Sequence, residues 1–179
     1  AERLGAASVH AIDIDQGARL LAQALDENAL SPRGVDCWLG CGPGDDDARR
    51  LAAGLADTLG SDLPQLHQPG ELDPTRLGVT LAGDLWRWSP RQVCLVLDDV
   101  HWIGRDSQGA AVLAGLVDGL PANGHIVLSG RTEPPLPLAR LEAQGRVERL
   151  GECDMAFGES ELTSFAALRG LPRDRLADL

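Results

Sequence analysis

The run QVCLVLDD at residues 92–99 is apolar over five consecutive positions, Val93 to Leu97, and stops at two carboxylates, Asp98 and Asp99. A buried strand ending this way can offer its first acid to Mg²⁺ through water and its second to a hydrolytic water, the Walker B arrangement. The same pair also fits two solvated aspartates capping a turn, since apolar strands ending in acids are common. Two further stretches carry reactive side chains. IVLSGR (126–131) closes another apolar run on Ser129 and Arg131, and AIDIDQGAR (11–19) sets Asp13 and Asp15 ahead of Gly17 and Arg19. The cysteines, Cys37, Cys41, Cys94 and Cys153, form no CxxC pair, so reduced buried thiols fit them better than a zinc site.

These side chains need elements to hold them, and strand-like and helix-like segments alternate along the chain. SVHAIDI (8–14) reads as a strand, followed by QGARLLAQALDENAL (16–30), where Ala18, Leu21 and Leu25 recur at helical spacing. VDCWLGC (35–41) is a second strand. The acids Asp45, Asp46 and Asp47 suit the start of the helix that carries Ala48, Leu51, Leu55 and Leu59 on one face. Asp73-Pro74 is a cap-then-proline start, with Leu77, Leu81, Leu85 and Trp88 on one stripe behind it. The run at 92–99 is the strongest strand, apolar enough for burial on both faces. Ser107–Leu120 follows as a helix with Ala110, Leu113, Val117 and Leu120 inward. HIVLSG (125–130) and RVERLG (146–151) are the last strands, separated by a proline-stiffened exit and a short helix; ESELTSFAALRGL opens another helix. Strands alternating with helices of this length predict an α/β fold with a parallel, about five-stranded sheet in three layers. Ligands of such sheets sit beyond the carboxyl ends of the strands, which puts Asp98, Asp99 and Arg131 on one rim.

Composition narrows the partners. Twenty-seven acids against sixteen bases leave a net charge of −11, a surface that repels phosphate backbones and argues against direct DNA contact by this segment. Every one of the sixteen bases is arginine. No basic-then-apolar leader opens the sequence and no apolar run approaches ~18 residues, so a cytoplasmic location with no membrane span is expected. The chain begins at Ala1 without methionine and ends inside a helical pattern, as a segment of a longer protein would.

Four stretches stand in an order with a known parallel: WLGCGPGDDDARRLAAGL (38–55), CLVLDDVHWI (94–103), IVLSGRTEPPLPLARLEAQGRVERL (126–150) and FGESELTSF (157–165). Over residues 35–168 the chain resembles the nucleotide-binding domain of STAND-class P-loop NTPases, specifically the MalT/LuxR-type bacterial transcription activators. The most specific element is SGRTEPPLPLARL at 129–141. The resemblance implies a P-loop core over residues 1–155, the start of a helical lid over 156–179, and an ATP/ADP-dependent switch using Mg²⁺. Asp98 would be the magnesium acid, Asp99 its neighbour, and Arg131 the sensor arginine that reads the terminal phosphate. Asp45, Trp38 and His101 match family positions whose role is structural. The implied partners are other domains of the same protein (lid, repeat-built sensor, helix-turn-helix), with homo-oligomers compatible and DNA reached only through another domain.

One motif departs from the family. A GxxxxGK[ST] loop should precede LLAQAL (20–25), but AIDIDQGAR stands there, with Gly17 the sole glycine and no lysine. A P-loop works because glycines let backbone N–H groups curl round the β-phosphate while a lysine bridges the β- and γ-phosphates. Asp13 and Asp15 would instead repel a triphosphate, and Arg19 is the nearest compensating charge. The expectation is a degenerate site: weak or absent ATP binding, negligible hydrolysis, and a role as conformational switch or scaffold. Three alternatives stay open. One is a ligand-free interaction module, with Trp86, Arg87 and Trp88 as hot-spot residue types. Another is a different regulatory nucleotide. The third is a phosphatase resembling the haloacid-dehalogenase type, with Asp13 as nucleophile, Asp15 as acid/base and Ser129 in support. That family needs a phosphate-holding lysine, and its metal acids should follow the serine strand rather than precede it.

Overall fold

Strands form where the apolar runs are, and their burial tracks how many neighbours each strand has. Residues 8–13, 34–67, 71–151, 158 and 161–164 are described in the computed structural model, the first of these segments by its backbone alone. The elements are β1 (Ser8–Asp13), β2 (Gly34–Gly40), α1 (Ala48–Leu59), α2 (Pro74–Leu85), β3 (Gln92–Asp98), α3 (Gln108–Asp118), β4 (Gly124–Gly130), α4 (Leu138–Ala143) and β5 (Val147–Leu150). The strands pair in parallel in the order β2-β3-β4-β1-β5. β4 occupies the middle and every one of its residues is buried. β3 is interior, one place from the edge. The expected helix at 16–30 lies outside the described residues.

Strand alternation divides the core into two faces. Val93, Leu95 and Leu97 of β3, with Ile126 and Leu128 of β4, pack in one cluster with Leu51, Leu55 and Leu59 of α1, Leu77, Leu81 and Leu85 of α2, and Leu113 and Leu116 of α3. Val96 and Val127 form a second, smaller cluster beside Cys94, on the opposite face. Both sheet faces are therefore covered, as the apolar run at 94–97 requires.

The helices start where the sequence places caps. Asp47, Asp73 and Ser107 each accept a hydrogen bond from the backbone N–H three residues on, and Pro74 occupies the first turn of α2. α2 ends at Leu85, so Trp88 stands in a following 3₁₀ turn, half-buried against the core, rather than on the helical stripe expected for it. Pro90 keeps Ser89 out of helical conformation (φ −54°, ψ 137°), so the 3₁₀ turn goes no further. Leu120 likewise falls past the end of α3 but still packs on the core. With no lysine available, arginines serve the helix carboxyl ends. Arg87 Nη2 donates to Leu59 O and Gly60 O at 3.3 and 3.4 Å, and Arg146 Nη2 donates to Val117 O at 2.8 Å.

α2 and α3 meet backbone to backbone. A Cβ on Gly78 would lie 2.0 Å from Val112 O, and one on Gly115 would lie 2.1 Å from Thr75 O. This seam holds α3, and with it the connection from β3, close against the sheet.

Candidate nucleotide site

Register brings the chemistry-bearing strand ends level. Gly40 pairs with Asp98, Leu97 with Leu128, and Ile12 with Ser129, so the carboxyl ends of β2, β3, β4 and β1 finish on one rim. Asp98 is the last residue of β3 and Ser129, 2% exposed, the penultimate residue of β4. Ser129 Oγ donates a short hydrogen bond to Asp98 Oδ1. Asp99 N–H donates to the same oxygen at 3.0 Å. Two donors on one oxygen fix the carboxylate's orientation, and among the described residues Oδ2 receives no hydrogen bond.

Asp99 takes a left-handed conformation (φ 58°, ψ 34°), the one described non-glycine residue with positive φ. Asp tolerates this region better than most residues because its short polar side chain can bond locally. The turn lifts its side chain into solvent and starts a 3₁₀ segment, Val100–Trp102. His101 Nδ1 lies 3.5 Å from Asp99 Oδ1, and its ring rests against Trp102 with centroids 5.2 Å apart. Gly130 lets β4 run close beneath this turn: a Cβ there would approach His101 N and Val100 Cγ2 to 3.2 Å.

The three aspartates after β2 do more than favour a helix start. Asp45, buried, accepts from Gly42 N at 2.7 Å and from Arg50 Nε at 3.1 Å. Asp46 Oδ1 accepts from Gly104 N at 2.5 Å while its carbonyl accepts from Gly109 N at 2.8 Å. Asp47 caps α1. The loop after β2 is thus stitched to the loop after β3. Cys41 sits under this junction, its N–H donating to Asp98 O at 2.8 Å. Burial, reinforced by Asp45, Asp98 and Asp99, pushes its thiol up to about 12, so it stays protonated and inert.

Of the residues expected at the site, Asp98, Asp99 and Arg131 come to the same rim. Arg131 follows directly on β4 with an exposed side chain. Gly17 and Arg19, like Asp15, lie outside the described residues. The backbone of Asp13 ends β1 opposite Gly130. Sequence reasoning assigned Ser129 no part beside Asp98; the signal was its position at the end of an apolar run next to Arg131.

Mg²⁺ fits this arrangement in one form. Among the described residues no group of three or more His, Cys, Asp or Glu could cage a metal ion. Mg²⁺ at nucleotide sites keeps several waters and takes one or two carboxylates plus phosphate oxygens, which is what a single oriented Asp98 can supply.

No protein-family model matches the chain, and no curated protein matches it. Solved structures do. The Aeropyrum pernix ORC1 protein in complex with DNA superposes with a TM-score of 0.50 at 16% identity, over 92% of this chain and 43% of that one. Drosophila ORC bound to GC-rich DNA and Cdc6 gives 0.52 at 12% identity, over 96% and 61%. Drosophila ORC bound to AT-rich DNA and Cdc6 gives 0.50 at 14%, over 93% and 58%. The chain therefore spans between 43% and 61% of the length of these proteins. At such identities the likeness is one of fold alone: an α/β, three-layer fold of the P-loop NTPase-like type with a parallel sheet. Among the described residues no helix is long and apolar enough to cross a membrane.

Proposed function

We propose that this domain is the nucleotide-responsive regulatory module of a longer, STAND-type transcriptional regulator, working as a switch or scaffold with little or no ATP hydrolysis. The observation that carries this reading is the carboxylate of Asp98, oriented by Ser129 at the end of an interior strand of a P-loop NTPase-like sheet. Asp98 would hold the hydrated Mg²⁺ of a bound nucleotide, and Asp99, turned out into solvent, would face the terminal phosphate. Bound Mg²⁺ would supply charge neutralisation at the β- and γ-phosphates. Arg131, on the next strand's exit, is suited to read the outermost phosphate with its fixed charge and planar fork. By the resemblance in sequence, Gly17 and Arg19 would be the residues left to meet phosphate in place of a lysine-bearing loop.

Weak affinity follows from the same residues. In sequence, Asp13, the last residue of β1, and Asp15 stand at the positions where a phosphate loop would offer N–H groups and lysine. Coupling through modest, reversible binding suits a switch better than turnover. The solved neighbours are DNA complexes, but a net charge of −11 favours DNA contact through a separate domain.

Thermal unfolding with and without 5 mM Mg·ATP or Mg·ADP tests the proposal. A dissociation constant of about 1 mM corresponds to roughly 1 kcal/mol of stabilisation and a melting shift of about 2–4 °C. Asp98→Asn should abolish the Mg²⁺-dependent part of that shift. A shift of the same size in the variant, or none in either protein, would refute the site. Micromolar affinity or sustained turnover would refute its degeneracy.

A further inference from the structure

Beyond the candidate site, the rim carries a second feature built from the loop after β3, the loop after β4 and strand β5. Arg105, in the turn ahead of α3, places Nη2 2.6 Å from Glu133 Oε2, and Arg149 of β5 places Nη2 3.2 Å from Glu133 Oε1. Each oxygen of one carboxylate is thus held by a different guanidinium. Arg149 also reaches Glu142 Oε1 of α4 at 3.5 Å. All four side chains remain exposed, so a solute can reach them.

An isolated surface pair would carry little meaning in so acidic a chain. Two arginines, one from the loop after β3 and one from β5, converging on the two oxygens of one acid is a more specific arrangement. Guanidinium forks match the oxygen spacing of phosphate as they match carboxylate, and two of them facing one point form an oxyanion receptor. Glu133 sits two residues beyond Arg131, in the loop leaving β4. The hydrogen bond from Arg105, with Arg149 beside it, holds its carboxyl below the usual range, so it remains a competing anion at neutral pH.

We propose that Arg105 and Arg149 form an oxyanion site for a phosphate-bearing solute, and that Glu133 occupies this site from within the chain. A phosphate group that displaces Glu133 releases the loop that begins at Arg131, while the loop after β3 stays bound to the incoming anion. The inference does not require Asp98 to bind Mg²⁺, so the two sites succeed or fail separately.

Glu133→Gln removes the competing charge and keeps the shape. Calorimetric titration of the full chain and of this variant with inorganic pyrophosphate, and separately with Mg·ATP, reads the consequence. Two exposed ion pairs suppress the affinity of an incoming anion by about 3- to 30-fold, so the variant should bind pyrophosphate tighter by that factor. Combining it with Arg105→Gln or Arg149→Gln should cancel the gain. A gain with pyrophosphate and Mg·ATP alike marks phosphate itself as the ligand; a gain confined to Mg·ATP marks the phosphates of a nucleotide. Hydrogen exchange supplies an independent check, with faster exchange expected over residues 131–136 in Glu133→Gln. Unchanged affinity in Glu133→Gln, or a gain that survives loss of either arginine, overturns the proposal. Absence of Mg²⁺-dependent stabilisation of the unsubstituted chain by Mg·ATP, alongside a pyrophosphate gain in Glu133→Gln, would instead count against the Asp98 site alone.

Discussion

Ser129→Ala isolates the contact that orients Asp98. Ser129 is 2% exposed, so the substitution deletes one hydroxyl from a closed position and opens almost no cavity. What it removes is a hydrogen bond to a carboxylate, worth about 1.5–3 kcal/mol. Asp98 is only half-buried and keeps its bond from Asp99 N–H, so water can take over part of the lost interaction and the lower end applies. The expected loss is about 1.5 kcal/mol, or about 3–6 °C in melting temperature for a chain of this size. Urea unfolding followed by tryptophan fluorescence, at unchanged m-value, measures it. Asp98→Asn supplies the second edge of a double-mutant cycle, since an amide oxygen still accepts from Ser129 but without its charge. The double variant should be less destabilised than the two single losses added together, by about 0.5–1.5 kcal/mol. Additivity within about 0.3 kcal/mol would show that the charge of Asp98 adds nothing to its bond with Ser129, and the account of the oriented carboxylate would fall.

The remaining tests probe the frame and the thiols. Gly115→Ala puts a methyl 2.1 Å from Thr75 O, and despite the better helix propensity of alanine it should destabilise by about 1–3 kcal/mol, seen as a lower urea midpoint. Gly83→Ala, on the same helix as Gly78 but facing open space, should be neutral or slightly stabilising by the same measurement. Burial raises the thiols of Cys41 to about 12 and Cys94 to about 11 from 9.0. A pKa raised by folding means the unfolded chain releases those protons first. Stability from these groups is therefore intact below pH 9 and declines as pH rises from 9 towards 12, which equilibrium unfolding at stepped alkaline pH would show. Iodoacetamide at pH 8 should label neither residue rapidly by peptide mapping until denaturant is added, Cys41 because it is buried and half-buried Cys94 because its thiol stays protonated, and rapid native labelling would contradict this.

Much of the frame was legible because local signals agreed with one another. Asp47, Asp73 and Ser107 cap helices where a short polar residue precedes an apolar periodicity. The unbroken run from Cys94 to Leu97 could only be a strand covered on both sides, and the two clusters on opposite faces cover it. Trp88 misled, since helical spacing continues through it while the α-helix ends at Leu85 and Trp88 falls in the 3₁₀ turn that follows. The site was legible only in part. Asp98 and Asp99 announce themselves by ending an apolar run, whereas a serine three residues from the end of HIVLSGRT looks like any strand-end hydroxyl until β4 is set beside β3.

The sequence by itself determined which residues could form strands and helices, where most helices begin, and that the chain holds no lysine and sets Asp13 and Asp15 ahead of Gly17. Those properties depend on neighbours a few positions away and on composition, both of which are written linearly. Tertiary structure alone decided that Ser129 grips Asp98 across 31 residues, that Asp46 ties the loop after β2 to Gly104 across 58, and that Arg105 and Arg149 close on Glu133. Such contacts follow from strand order and register. These are settled by how the buried faces of the whole sheet pack, and no local pattern in the chain encodes them.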